Sequence, residues 1–191
     1  MSPMRAVLRD QRGFTLTELL VVAAVLGLIL AAVVLVQQRG QEAYIFGSHR
    51  VEVQQNNRTA LELMVRELRS AQSITTIASA TDLTFQTTQD GIVETIRYQL
   101  SGATLNRTVN GTTTPLIGGV NSLAMTYCSA WDPSKTSAQN IALPACTATP
   151  PGSVKVILLQ LETRTEDQVG SVSPGNQRST MESLVRLRNI P

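Results

Sequence analysis

The apolar pattern of this chain changes character twice. From Leu19 to Val36 no residue is charged, and apolar side chains fill nearly every position instead of marking one face. A helix that is apolar all round needs lipid or a protein core around it. Phe14 to Val36 makes 23 residues, with Glu18 the only ionisable side chain among them. At about 1.5 Å per residue, that length crosses the roughly 30 Å hydrocarbon core of a bilayer.

After Val36 the chain turns polar yet stays compatible with a helix through Ser73, with no proline and only Gly40 and Gly47 as weak points. Leu61, Met64, Val65, Leu68 and Ala71 recur at helical spacing and make one apolar face. Glu62 and Arg66 form a favourable i, i+4 pair on the outside of that turn. The pattern predicts one helix of about 60 residues, a rod of roughly 90 Å, bending if anywhere at its glycines. Its apolar stripe is built to pack on a sheet and implies no cofactor.

From Ile74 onward, short runs rich in Thr, Val, Ile, Leu and Tyr alternate with turn residues, as antiparallel strands do. Strands are predicted near 83–86, 92–100, 104–108, 123–127, 154–163 and 181–188. Asp90-Gly91, Ser101-Gly102 and Asn110-Gly111 supply turns between them. The expected class is α+β: a long N-terminal helix packed by its second half against an antiparallel β-sheet. Trp131, Asp132-Pro133, Pro144 and Pro150-Pro151 make 128–152 read as a long loop. Gly170 to Asn176 reads as a second flexible stretch.

Charge fixes the orientation. Arg5, Arg9 and Arg12 precede the apolar run against Asp10 alone. They place the N-terminus in the cytoplasm by the positive-inside rule, so the remainder is exported. Taking away the first 13 residues lowers Lys plus Arg from 16 to 13 and Asp plus Glu from 14 to 13. The balanced remainder has no basic stripe that argues for nucleic acid. Cys128 and Cys146 allow one intramolecular pairing, and outside the cytoplasm a disulfide persists. Closing such a loop is worth roughly 3 kcal/mol in the chain-entropy view. Free buried thiols or a metal or redox pair are the rivals, but the spacing is not Cys-x-x-Cys.

Three readings compete for the N-terminus: a plain signal anchor, a cleaved secretory signal, or a precursor cut before Phe14. The second fits poorly, because the apolar run exceeds the usual 7–15 residues of such a signal. The third uses two details that the others leave idle. A carboxylate in a membrane helix costs roughly 2.5–3.5 kcal/mol on the insertion scale, so Glu18 marks a function or a partner. Gly13-Phe14, directly after the basic patch, joins a small residue to a bulky one. A cut between them frees an α-amine four residues before Glu18, and a neighbouring chain's carboxylate would neutralise it.

Arg12-Gly13-Phe14-Thr15-Leu16-Thr17-Glu18-Leu19-Leu20 resembles the class III signal of type IV pilins and of the pseudopilins of type II secretion. The resemblance implies cleavage after Gly13 by a prepilin peptidase, N-methylation of Phe14, and Glu18 as the assembly carboxylate. It divides the chain into a removed leader (1–13), a transmembrane and filament-core helix (14–36), its polar continuation (37–73) and a β-rich head (74–191). The implied partners are the peptidase, other major and minor subunits, the assembly platform and inner-membrane lipid. Gly27 matches a glycine of major pilins, but Leu35 stands where those carry proline, which resembles a minor pilin. Arg58 to Ala71, Pro115-Leu116 with Gly119-Val120, Val154 to Leu159 and Val185 to Asn189 are similar to PilW-type minor pilins. The first two of these also resemble the J-type pseudopilin.

Chemistry elsewhere is sparse. The one histidine, His49, sits on the polar helix and is expected to be solvated, and it completes no catalytic set or metal cluster. No phosphate-binding glycine loop occurs. Glu166-Asp167 reads as a solvated turn. Three Asn-x-Thr triplets, at Asn57, Asn106 and Asn110, are read as coincidence. Arg186 and Arg188 are read as a solvated face, with DNA contact as the alternative. No enzyme and no cofactor are expected. The leading expectation is a minor pilin. Its rivals are a pseudopilin at a secretion tip and an anchored adhesin or DNA-binding module.

Overall fold

The computed structural model describes residues 13–89, 91–147, 150–166 and 176–189. It has two compact units, one ending at Tyr44 and the other beginning at Ile45. The long helix α1, Leu16–Ser70, contributes to both.

In the first unit α1 carries only exposed side chains. Leu16–Ser70 is also the one helix, among the described residues, long and apolar enough to cross a membrane. Gly27 and Gly40 lie within it without a break.

In the second unit the same helix is amphipathic. Val53, Asn57, Ala60, Leu61, Met64 and Leu68 are buried at spacings of three and four, one face of a 3.6-residue turn. The expected stripe is therefore the packing face. The surface pair differs from expectation: Glu62 bonds back to Arg58 at 2.7 Å and not forward to Arg66. The helix also ends at Ser70, before the expected Ser73, because Ala71 begins a strand directly. The Thr87 hydroxyl donates to the Ser70 carbonyl at 3.2 Å and satisfies one acceptor of the helix end.

Among the described residues, eight strands form two antiparallel sheets, where six strands in one sheet were expected. The first sheet runs β1 (Ala71–Ser79), β2 (Asp82–Gln89), β3 (Ile92–Ser101), β4 (Thr104–Val109) and β5 (Thr112–Ile117), in that spatial order. The second runs β6 (Val120–Cys128), β7 (Val156–Arg164) and β8 (Arg178–Arg186). β1 and β5 are the additions. Asn110-Gly111 closes β4–β5 with both residues at positive φ, 49° and 89°, which suits a tight hairpin. Gly119, φ 63°, makes the passage between sheets; a Cβ there would collide with the Arg164 carbonyl.

The core gathers Met64, Leu68, Ile74, Leu83, Phe85, Ile96, Tyr98, Leu105, Met125 and Leu159. Phe85 and Tyr98 stack at 6.2 Å between ring centres. β7 is buried on both faces. Ile157, Leu159 and Leu161 join the core, and alternation sends Leu158 and Gln160 to the other side. The Cys128–Cys146 segment is fixed on that other side by a hydrogen bond from Ser137 to Glu182, the cross-strand partner of Gln160.

That segment was expected to be a loop. It holds two short helices, α2 (Ser137–Ile141) and α3 (Pro144–Thr147), and a 3-10 turn at Pro151–Ser153 follows. Thr136 and Gln139 form a reciprocal capping box at the start of α2. Asn140, fully buried, bonds the carbonyls of Asp132, Lys135 and Thr136 and accepts from the Asp132 N–H. The flexible stretch expected at 170–176 lies outside the described residues except for Asn176, and so do Asp90 and Asp167.

Candidate functional site

The candidate site is the entry to α1. Gly13, Phe14 and Thr15 precede the helix without helical structure, and α1 starts at Leu16. Thr15 is the reason it starts there. Its hydroxyl accepts from the Glu18 N–H at 3.2 Å, and its carbonyl accepts from the Leu19 N–H at 3.2 Å. Those are the bonds of an N-cap residue, and Thr-x-x-Glu is the sequence signature of a capped start. Sequence reasoning missed this cap, although the signature was legible in Thr15 and Glu18.

Capping has two chemical consequences. It leaves the Gly13–Phe14 peptide outside the helix, in backbone whose amide is not locked into an i to i−4 ladder. A Cβ at Gly13 would meet nothing within 4 Å, and Phe14 is 81% exposed. Among the described residues nothing crowds this bond. It also puts the Glu18 carboxylate in the first turn, where the unpaired N–H groups favour negative charge. Among the described residues that carboxylate has no bonded partner. Beyond it, every apolar side chain through Val36 is exposed.

Residues 8–34 match the prokaryotic N-terminal methylation motif. The matched stretch holds Gly13, Phe14 and Glu18 together with most of the uncharged helix. The motif is the signal of type IV pilins and pseudopilins, and it implies processing by a prepilin peptidase and assembly with other subunits. The single apolar N-terminal helix is consistent with inner-membrane anchoring. No curated protein matches the chain.

The remaining singled-out residues lie in the second unit. Cys128 and Cys146 are bonded as a disulfide. His49 is partly buried, where full solvation was expected. Asn57 is fully buried; its amide donates to the carbonyls of Leu161 (3.1 Å) and Ser179 (2.8 Å), so the folded chain offers no acceptor there for a glycan. Glu166 lies over Gly118, while Arg186 and Arg188 are exposed.

Polar groups elsewhere in the head pair with one another. Glu67 on α1 takes three bonds from Arg107 and one, at 2.5 Å, from the Tyr98 hydroxyl. Burial, then the Glu67 carboxylate, pushes the Tyr98 hydroxyl above its ordinary value. Asp82 receives a two-point contact from Arg97 at 2.8 and 2.6 Å, and these hydrogen bonds hold its carboxyl below the usual range. Asp132 is lowered by bonds from Ser134 and Lys135. Each network ties strands, helix or loop together. Among the described residues, no three His, Cys, Asp or Glu side chains converge as metal ligands would.

Proposed function

We propose that the chain is a minor pilin subunit of a type IV pilus, of the PilW type, that initiates, primes or caps the filament and catalyses no reaction itself. The observation that supports this most is the methylation motif over residues 8–34, set on a helix whose capped start leaves Gly13–Phe14 free. Leu35, in place of the proline of major pilins, favours a minor subunit. In this reading a prepilin peptidase cuts after Gly13, and the new α-amine of Phe14 is methylated. The subunit then waits in the inner membrane with its head outside the cytoplasm.

Assembly follows from charge in lipid. An unpaired carboxylate in hydrocarbon is costly, and so is an unpaired ammonium. Glu18 of an incoming subunit removes both costs at once by pairing with the Phe14 amine of a neighbour. The pairing also sets the axial offset between subunits, while Leu19 to Val36 pack side by side. The same processing chemistry would serve a pseudopilin of type II secretion.

Mass spectrometry of the mature protein from its native membrane tests this. The chain is expected to begin at Phe14 with one added methyl group. Substitution of Gly13 is expected to leave the leader attached. Glu18→Ala is expected to be cleaved and inserted normally yet to be lost from sheared filaments. An intact leader in a strain with active prepilin peptidase would overturn the processing step. Normal incorporation of Glu18→Ala would remove the role given to the carboxylate.

A further inference from the structure

Two open sheets leave four edges, and three of them are protected. β1 meets its neighbour with three register shifts. β5 is six residues long, contains Pro115, and pairs through a shifted register. β6 is interrupted by a shift between Val120 and Ser122. Bulges, prolines and short edges discourage the addition of a further strand. β8 has none of these: it is nine residues long, lacks proline, and pairs with β7 in unbroken register.

A groove of about 790 Å³ runs between α1 and β8. Leu61, Val65 and Met181 give it an apolar floor, and Arg66, Arg69 and Arg188 stand along it. None of these three arginines has an ion pair among the described residues. The groove's two carboxylates are already engaged: Glu62 by Arg58, and Glu182 by Gln160 and Ser137. The result is unmatched positive charge over apolar surface, beside a strand that pairs with no second strand among the described residues, its Ser179 carbonyl alone being held by Asn57.

We propose that this groove receives an extended acidic segment of another pilin-like subunit, added as a strand to β8. Apolar side chains of such a segment would meet Leu61 and Met181, and its carboxylates Arg66, Arg69 and Arg188. The helical stretch from Arg58 to Ser70 spans roughly 18 Å, the length of about five or six strand residues. Nucleic acid would answer the arginines but leave the apolar floor and strand edge unmatched, and among the described residues no aromatic side chain lines the groove for stacking. That the partner is another subunit rests on the assembly reading above; the chemistry of the groove does not.

The test uses the full chain in detergent micelles and a fluorescent eight-residue peptide of alternating Glu and Val. Fluorescence anisotropy is expected to show binding that weakens at least about tenfold when Lys replaces Glu, or when alternate backbone amides are N-methylated. The double variant Arg66→Glu/Arg188→Glu is expected to lose at least about tenfold, and Arg66→Lys/Arg188→Lys to retain binding. If the reversal variant unfolds, Arg66→Gln/Arg188→Gln replaces it. Equal binding of the N-methylated peptide would overturn strand addition. Indifference to the arginine substitutions, or tighter binding of a duplex DNA oligomer, would overturn the proposal. These results are independent of the mass of the mature N-terminus, so groove and processing stand or fall separately.

Discussion

One helix lives two lives. Between Leu19 and Val36 its large apolar side chains are at least half exposed, and apolar residues occur on every face. Between Val53 and Leu68 its apolar residues occupy one face, and Ala60, Met64 and Leu68 are wholly buried. The difference lies in where each half obtains its stability. The second half is stabilised by its own chain, through the sheets folded on it. The first carries only exposed side chains among the described residues, and an all-apolar surface depends on lipid or on other subunits for cover. Apolar content alone does not distinguish these fates; its angular distribution does.

That contrast predicts a graded response in the intact chain, followed in micelles by denaturant unfolding with Trp131, the single tryptophan, as probe. The largest effect belongs to Met64→Ala, which opens a cavity at a fully buried site and is expected to cost about 3–4 kcal/mol. Replacing Cys128 and Cys146 together by serine releases a constraint across a sequence separation of 18 and is expected to cost about 3 kcal/mol.

Asp82→Asn comes next, at about 1 kcal/mol near neutral pH, kept small because Arg97 is 43% exposed. Its pH dependence has a definite sign. The folded-state carboxyl lies below its ordinary value, so the stabilisation is present above about pH 4 and fades as the pH falls through the lowered folded value. The difference between parent and variant should therefore shrink in acid. The smallest effect is Leu26→Ala, within about 0.5 kcal/mol, because its side chain is exposed and belongs to the first unit. A loss for Leu26→Ala as large as for Met64→Ala would break the contrast.

Much of this architecture was legible in the sequence. Six strands announced themselves as runs rich in Thr, Val, Ile, Leu and Tyr between turn residues, and Leu61, Met64 and Leu68 by their spacing. β1 did not, because Ala71-Gln72-Ser73 continues the helix composition and no glycine or proline marks the change. Tertiary contact decides it: Ala71 and Ile74 are buried in the core. β5 was hidden by Thr112-Thr113-Thr114-Pro115, which reads as a turn but suits an edge strand, where proline is tolerated. The division into two sheets turns on Gly119 and on which strands share a face, and neither shows as a local pattern. At the candidate site, the order of Gly13, Phe14 and Glu18 suggested the signal, and the methylation-motif match covers all three. The part played by Thr15 needed the backbone bond to be seen.

The junction of Ser70 and Ala71 has a mechanical meaning. Helix passes into strand without a loop, the Thr87 hydroxyl grips the last helical carbonyl, and Glu67, one turn earlier, is clamped to Arg107 and Tyr98. No slack exists there to be drawn out. Tension on the last helical turn would pass directly to β1 and to the hydrogen bonds it shares with β2. The end of the helix and the start of the sheet would therefore take load together.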